Sequence, residues 1–414
     1  MATNLQSIMK FLSLIVGYLL VTLSAYGQEK DQGIKFLTKP QKGLEVVGKD
    51  SLFSLRIQFR MQNRAAMLTR SEDDLSAESW EFRVRRLRLK LEGFVYSPKL
   101  EYKVQLAFSR GDMDWDMTQV SSVNSSVNIV RDAVIYYSPI ESLKLGFGQT
   151  KLPGNRQRVV SSGDQQFADR SIVNATFNID RDFGFFATYQ QPYFAVMGAL
   201  TSGEGRNTTQ SNSGLSYTGR VEALPFGRFT GKNDYIEGDL EREQKPKLSI
   251  GATYNFNDDA VRIGGQLGRD LFTKSDISTL SLDMVFKYKG FAFYNEFMQR
   301  TSSAPITHNT DTSKFSTIYA GFGFLTQASY LFKSNWEVAA RFAQVTPFSD
   351  IYNHPVHETV NEKQQQSIQL GVTKYLYGHR VKVQGNLLYQ RSSDLKNNTN
   401  SGKYGAIFQI ELGI

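Results

Sequence analysis

The stretch Phe53-Ser54-Leu55-Arg56-Ile57-Gln58-Phe59-Arg60-Met61 carries an apolar residue at every odd position and a polar one at every even position. Leu87-Arg88-Leu89-Lys90-Leu91-Glu92 repeats the pattern with all its even positions charged. A period of two puts the two sets on opposite faces of a β-strand. A face of Leu, Ile and Phe backed by a face of Arg and Lys does not suit a sheet buried on both sides. It suits a wall with hydrocarbon on one side and water on the other.

Outward from these two stretches, similar alternation recurs in 16 segments, near 52–68, 80–93, 100–110, 130–137, 143–151, 183–190, 193–201, 217–224, 247–255, 280–288, 291–299, 317–330, 336–345, 363–375, 381–390 and 404–412. The number is even, as single-chain bacterial barrels require. Short connections such as Gln191-Pro192 and Lys289-Gly290 alternate with long polar ones such as 201–216, 300–316, 346–362 and 391–403. That is the sidedness of an antiparallel transmembrane β-barrel, with brief turns at one end and extended loops at the other. The connection 225–246 breaks the rule, being long where a short one is due. Aromatics crowd the short turns, among them Tyr136-Tyr137, Tyr193-Phe194, Tyr330, Trp336 and Tyr375, as an interfacial girdle requires.

Composition agrees. The 414 residues hold 48 Lys+Arg against 40 Asp+Glu, no Cys and 13% aromatics. With no Cys there is no disulfide framework and no thiolate chemistry. Residues 1–27 read as a secretory signal peptide cleaved before Gln28, 28–51 as a short periplasmic segment, and 52–414 as the barrel. No later stretch is apolar for long enough to span a membrane as a helix, whereas barrel strands show grease only at alternate positions. The net charge of +8 is not carried on a basic helix or a lysine-rich tail, so nucleic acid is not an expected partner.

With the apolar set facing lipid, the inner wall carries Arg56 and Arg60, then Arg86, Arg88, Lys90 and Glu92, then Lys103, Asp283, Lys287, Glu296, Glu337, Arg341, Lys382 and Glu411. A charge facing lipid would cost roughly 2–4 kcal/mol at mid-membrane, so parity decides placement with some force. Arg85 and Arg86 are consecutive, which predicts a β-bulge that aims an extra guanidinium inward. The connection 152–182 carries Arg156, Arg158, Arg170 and Arg181 against Asp164, Asp169, Asp180 and Asp182. A connection of that length inside a barrel is expected to fold inward and narrow the pore. Arginine suits oxyanions through its planar fork. The plainer reading is that inner-wall Arg and Glu pair with each other and keep a wet lumen ordered.

Several segments resemble the phosphate-selective porin O and P family of bacterial outer membranes. They are Phe82-Arg83-Val84-Arg85-Arg86-Leu87-Arg88 with Glu92-Gly93, Arg131-Asp132-Ala133-Val134-Ile135-Tyr136-Tyr137, Leu145-Gly146-Phe147-Gly148-Gln149-Thr150-Lys151-Leu152-Pro153 and Phe167-Ala168-Asp169-Arg170-Ser171. Gly238-Asp239-Leu240-Glu241-Arg242 and Lys287-Tyr288-Lys289-Gly290-Phe291 follow in the second half. The resemblance implies a 16-stranded barrel in the outer membrane, assembled as a homotrimer, with an inward third loop. It also implies that Arg85, Arg86, Arg88 and Lys151 contribute to anion binding. The aliphatic end at Ile414 departs from the aromatic terminus usual in barrels.

Other chemistry is not supported. The histidines fall in loops or turns, and the proline in His354-Pro355-Val356-His357 argues against a helical metal pair. Gly146-Phe147-Gly148-Gln149-Thr150-Lys151 lacks the spacing of a phosphate-binding loop and reads as a strand. No Ser/His pair can be nominated, so neither an enzyme nor a cofactor is expected. The expected function is passive diffusion of small anions, phosphate or other oxyanions, lined by Arg56, Arg60, Arg85, Arg86, Arg88, Lys90, Lys151, Arg156, Arg158 and Arg170. A general diffusion pore and a non-transporting, surface-binding barrel are the alternatives.

Overall fold

A closed antiparallel wall of 16 strands dominates the computed structural model, which describes residues 34–39, 43–48, 52–109, 129–208, 214–311, 314–353 and 362–414. The wall runs β3 (Phe53–Thr69), β4 (Ala77–Val95), β5 (Ser97–Ala107), β6 (Val130–Ile140), β7 (Leu143–Lys151), β8 (Arg181–Gln190), β9 (Phe194–Thr201) and β10 (Ser216–Ala223). It continues through β11 (Lys247–Arg262), β12 (Asp270–Tyr288), β13 (Phe291–Ser302), β16 (Gly321–Leu331), β17 (Trp336–Pro347), β18 (Gln364–Tyr377), β19 (Val381–Asp394) and β20 (Thr399–Gly413). Closure is made by β20 on β3, from Gly405 opposite Leu68 to Gly413 opposite Arg60. Every alternating segment of the sequence is a strand of this wall.

Parity works as expected through most of the barrel. On β20 Phe408, Ile410 and Leu412 are exposed outward, while Gln409 and Glu411 between them are about 1% exposed. The alternation changes phase on β4 because Gln62 faces Arg86 and Asn63 faces Val84, leaving Arg85 as the extra residue of a bulge. Several wall strands run further than the alternation does. Residues 391–403, expected as a long loop, are mostly strand, with only 395–398 left as a turn. Beyond the hydrocarbon both faces of a strand are wet, so pairing continues where the polarity signal has stopped.

Two elements had no signal in the sequence. Ahead of the barrel, β1 (Ile34–Lys39) and β2 (Gly43–Gly48) form a hairpin. Strand β2 pairs with β3 from Leu44 opposite Ile57 to Val47 opposite Ser54, below the last residue of β20. It covers a length of β3 edge that would otherwise be unpaired. The pair β14 (Ile306–His308) and β15 (Phe315–Thr317) stands on the long connection between β13 and β16. The signal sequence, His354 and His357 lie outside the described residues.

Two connections enter the lumen from opposite ends. The third loop, 152–180, carries the short helices α1 (Arg156–Val159) and α2 (Ile172–Phe177). Ser171 caps α2 by accepting from the Asn174 amide at 3.2 Å. Val173 and Phe177 pack on Met298, Leu325 and Val345, inward residues of β13, β16 and β17. Part of the inner wall is therefore apolar, and α2 covers it. From the short-turn end, the long connection 224–246 folds up beside the third loop, and Glu237 N donates to Asp164 O at 2.8 Å.

Candidate functional site

The third loop meets a charged network where it leaves β7. Arg156 is about 1% exposed and donates through Nε to Asp283 at 2.5 Å and through Nη2 to Glu222 at 3.0 Å. Arg220 reaches the same carboxylates, Asp283 at 2.6 Å and Glu222 at 2.7 Å. The Arg156 guanidinium also lies 4.8 Å from the Tyr235 ring, on the connection 224–246. Burial works against its charge, yet Asp283 and Glu222 hold it well above the ordinary arginine value. Two cations and two carboxylates compensate each other here, so Arg156 clamps the loop and has no charge to spare for a solute.

The loop then crosses the lumen to the opposite wall. Arg60 donates to Ser161 Oγ at 3.1 Å and Ser162 Oγ at 2.9 Å, and Arg88 to Ser162 Oγ at 3.0 Å. Lys382 holds Gly163 O at 2.8 Å and Gln165 O at 2.6 Å. Asp169 receives Arg64 at 2.5 Å and Arg85 at 3.2 Å, with Arg86 at 3.6 Å. Burial would raise the Asp169 carboxyl, but Arg85, Arg64 and Arg86 hold it well below the usual range. The loop thereby divides the lumen, and the open space lies between it and the wall that runs from β18 through β20 and β3 to β8.

That space is two cavities meeting at one residue. The cavity toward the short turns, about 460 Å³, is lined by Arg60, Arg88, Lys90, Lys103, Lys151, Arg181 and Arg380 against Asp164 and Glu411. The one toward the long loops, about 470 Å³, is lined by Arg85, Arg86, Arg88, Arg131, Arg158, Arg170 and Arg206 against Asp169 and Asp180. Arg88 belongs to both. Beside it, Lys151 donates to Val159 O at 2.6 Å and Val160 O at 3.3 Å, while Arg170 donates to the same Val160 O at 2.8 Å. One carbonyl thus sits between two cations. Burial and the like charges of Arg158 and Arg88 pull the Arg170 guanidinium well below its ordinary value. Arginine stays charged in proteins, so a mobile anion would relieve that field.

Of the residues nominated from sequence, Arg60, Arg85, Arg86, Arg88, Lys90, Lys151, Arg158 and Arg170 line these cavities. Arg56 does not, being paired with Glu45 at 2.9 Å and Glu92 at 3.5 Å near the short-turn end. Arg156 is in the buried clamp instead. The nomination missed Lys103, Arg131, Arg181, Arg206 and Arg380, although Lys103 reads as inner wall and Arg181 as part of the third-loop connection in the sequence. Arg206 is brought in by Asp182, which accepts from Gly203 N at 2.7 Å, Gly205 N at 3.1 Å and Ser202 Oγ at 2.8 Å and turns the chain just after β9 inward. Nothing periodic marks a loop residue of that kind. Gly146-Phe147-Gly148 lies in β7, as expected, and Gly148 has φ 129° where an added Cβ would lie 2.3 Å from Ala133 O.

The family model for phosphate-selective porin O and P matches residues 55–412, almost the entire barrel. The chain belongs to that family. As a porin O and P protein it is an outer-membrane channel rather than an enzyme. An uncharacterised protein of Aquifex aeolicus (strain VF5) is 20% identical over 390 residues, covering 86% of each chain. Among solved structures, the anion-selective porin from Comamonas acidovorans superposes with TM-score 0.52 at 12% identity, covering 87% of this chain and 100% of that one. Pseudomonas putida OprB gives TM-score 0.54 at 10% identity, covering 87% and 94%. At such identities the likeness establishes the fold alone.

Proposed function

We propose that this porin passes small inorganic and organic oxyanions, with Arg88, Lys151 and Arg170 forming the selective constriction. The observation that carries the reading is the sevenfold cationic lining of each cavity against two carboxylates. Arg60, Arg85, Arg86, Lys90 and Arg158 would hand the anion along, each replacing part of its hydration shell without holding it. The family's printed description and the anion-selective Comamonas relative point the same way. Export through a cleaved signal at residues 1–27, a short periplasmic segment at 28–51, long loops facing outside with short turns in the periplasm, and assembly as a homotrimer belong to the same proposal; Vibrio cholerae OmpT, of similar fold, is in a trimer form.

Reversal potential in a KCl gradient across a planar bilayer tests it. Chloride should be preferred, and added phosphate should reduce the chloride current. Potassium preference would overturn the anion reading, and phosphate without effect would overturn the oxyanion one. A general diffusion pore of weak selectivity is favoured by one observation, the partial neutralisation of the external arginines by Asp169 and Asp180. Liposome swelling in neutral sugars, with near-equal chloride and potassium permeability, would support that reading.

A further inference from the structure

The external cavity has a second face that an inorganic anion does not use. Opposite its arginines it is lined by Leu388, Ile407, Ile172 and Leu267. Leu388 and Ile407 belong to the wet side of the wall. Ile407 pairs with Asn386 across β19 and with Ala66 across β3, and Asn386 turns inward to accept from Ala168 N at 2.9 Å. The next rung is Leu388, Gly405 and Leu68. Parity therefore gives an aliphatic patch of two rungs, aimed at the lumen and toward the external mouth. Leu68, Leu388 and Ile407 stand outside the apolar seam under α2, while Ile172, on α2 itself, packs against that seam and also lines this cavity. Among the described residues, neither lipid contact nor the packed seam of the third loop accounts for Leu388 and Ile407. Half-exposed aliphatic side chains in a wet lumen are unfavourable unless something apolar covers them.

We propose that the external vestibule receives organic oxyanions with an apolar body. The phosphate, sulfate or carboxylate head takes Arg85, Arg86 and Arg131, while an aryl or alkyl body lies on Leu388, Ile407 and Ile172. The inference rests on the anion reading above and narrows its solute class. The periplasmic cavity has no such pair of aliphatic rungs; its apolar lining is Phe59, Tyr136 and Val159, set among Gln58, Lys90, Lys103, Gln105 and Thr150. Discrimination by the body of the solute is therefore a property of the external side.

The test is block of single-channel chloride current by phenyl phosphate and by inorganic phosphate, each added from either side. Wild-type porin should be blocked from the external side by phenyl phosphate at about tenfold lower concentration than by inorganic phosphate, as a covered aryl face requires. The advantage should shrink from the periplasmic side. The double variant Leu388→Ser/Ile407→Ser should lose it while keeping its block by inorganic phosphate. Leu267→Ser, on a loop and outside the wall, should reduce it without touching barrel assembly. Equal block by both anions in the wild type, or an advantage that survives the double variant, overturns the inference. If inorganic phosphate blocks and the phenyl group adds nothing, this inference alone fails. If neither blocks, or the pore prefers potassium, the anion reading fails with it.

Discussion

At the scale of single residues, the same side chain does opposite work according to its surroundings. Arg156 and Arg170 both sit on the third loop, and sequence treats them alike. Arg156 is met by Asp283 and Glu222, and Arg170 by the carbonyls of Gln157 and Val160 with other arginines close by. Removing a cation from a buried, compensated network leaves its carboxylates stranded, at about 3–5 kcal/mol. Arg156→Gln should accordingly lower the temperature at which the barrel changes mobility on denaturing gels. Arg170→Gln should leave that temperature nearly unchanged and reduce the chloride-to-potassium permeability ratio. If the two variants behave alike, the distinction drawn between clamp and constriction is wrong.

At the scale of elements, the third loop is held by an apolar seam at one end and ion pairs at the other. Phe177→Ala removes a fully buried ring, a change that typically costs about 3–5 kcal/mol, with the loop rather than the barrel taking the loss. Single-channel records of that variant should show larger, noisier openings. The ion-paired end has a definite pH window. Asp169 and Asp180 are held below the ordinary carboxylate range by Arg85 and Arg158 respectively, with further arginines assisting. Their stabilisation is complete above the unfolded value of about 3.9 and is lost only as pH falls through the folded values. Selectivity measured at pH 7 and at pH 4.5 should therefore agree; a gain in chloride preference by pH 4.5, as protonated carboxyls leave their arginines uncompensated, would show that these carboxylates are not held. The strands were legible because lipid on one face and water on the other force alternation on Phe53–Met61 and its successors, and the bulge was legible because Arg85 and Arg86 break it. The inner seam was not legible. Met298, Leu325 and Val345 face inward and are apolar, so polarity no longer tells inside from outside on β13, β16 and β17. Nor could spacing bring Arg206 to the mouth, since Asp182 and two glycine amides do that through a loop.

At the scale of the whole molecule, the pore is one side of the barrel because the other side is filled. The connection 224–246, at the short-turn end, supplies the filling, and its length was the one irregularity in the turn pattern. Lys287 holds it through Asn233 O at 2.5 Å and Ile236 O at 2.6 Å, and Gln166 N donates to Glu237 at 3.1 Å. His379, on the turn after β18, adds a contact to Glu237 O at 3.1 Å. Burial and the nearby Lys382 charge keep that imidazole well below its ordinary value, so it is neutral and its Nε2–H can donate. The cationic excess thus belongs to the open half, while the covered wall is balanced, with Glu222, Asp283, Glu296 and Glu337 against Arg220, Lys287, Arg300 and Arg341. Selectivity should then depend on keeping this second half shut. Replacing 226–245 by a short glycine-containing turn leaves every barrel strand intact, because the segment lies wholly between β10 and β11. The shortened protein should still show the heat-dependent mobility of a closed barrel, conduct more than the wild type, and have a weaker chloride preference as a wall of balanced charge becomes wet and dilutes the cationic one. If conductance rises with chloride preference unchanged, the connection is only an obstruction. If neither changes, the third loop closes that half unaided.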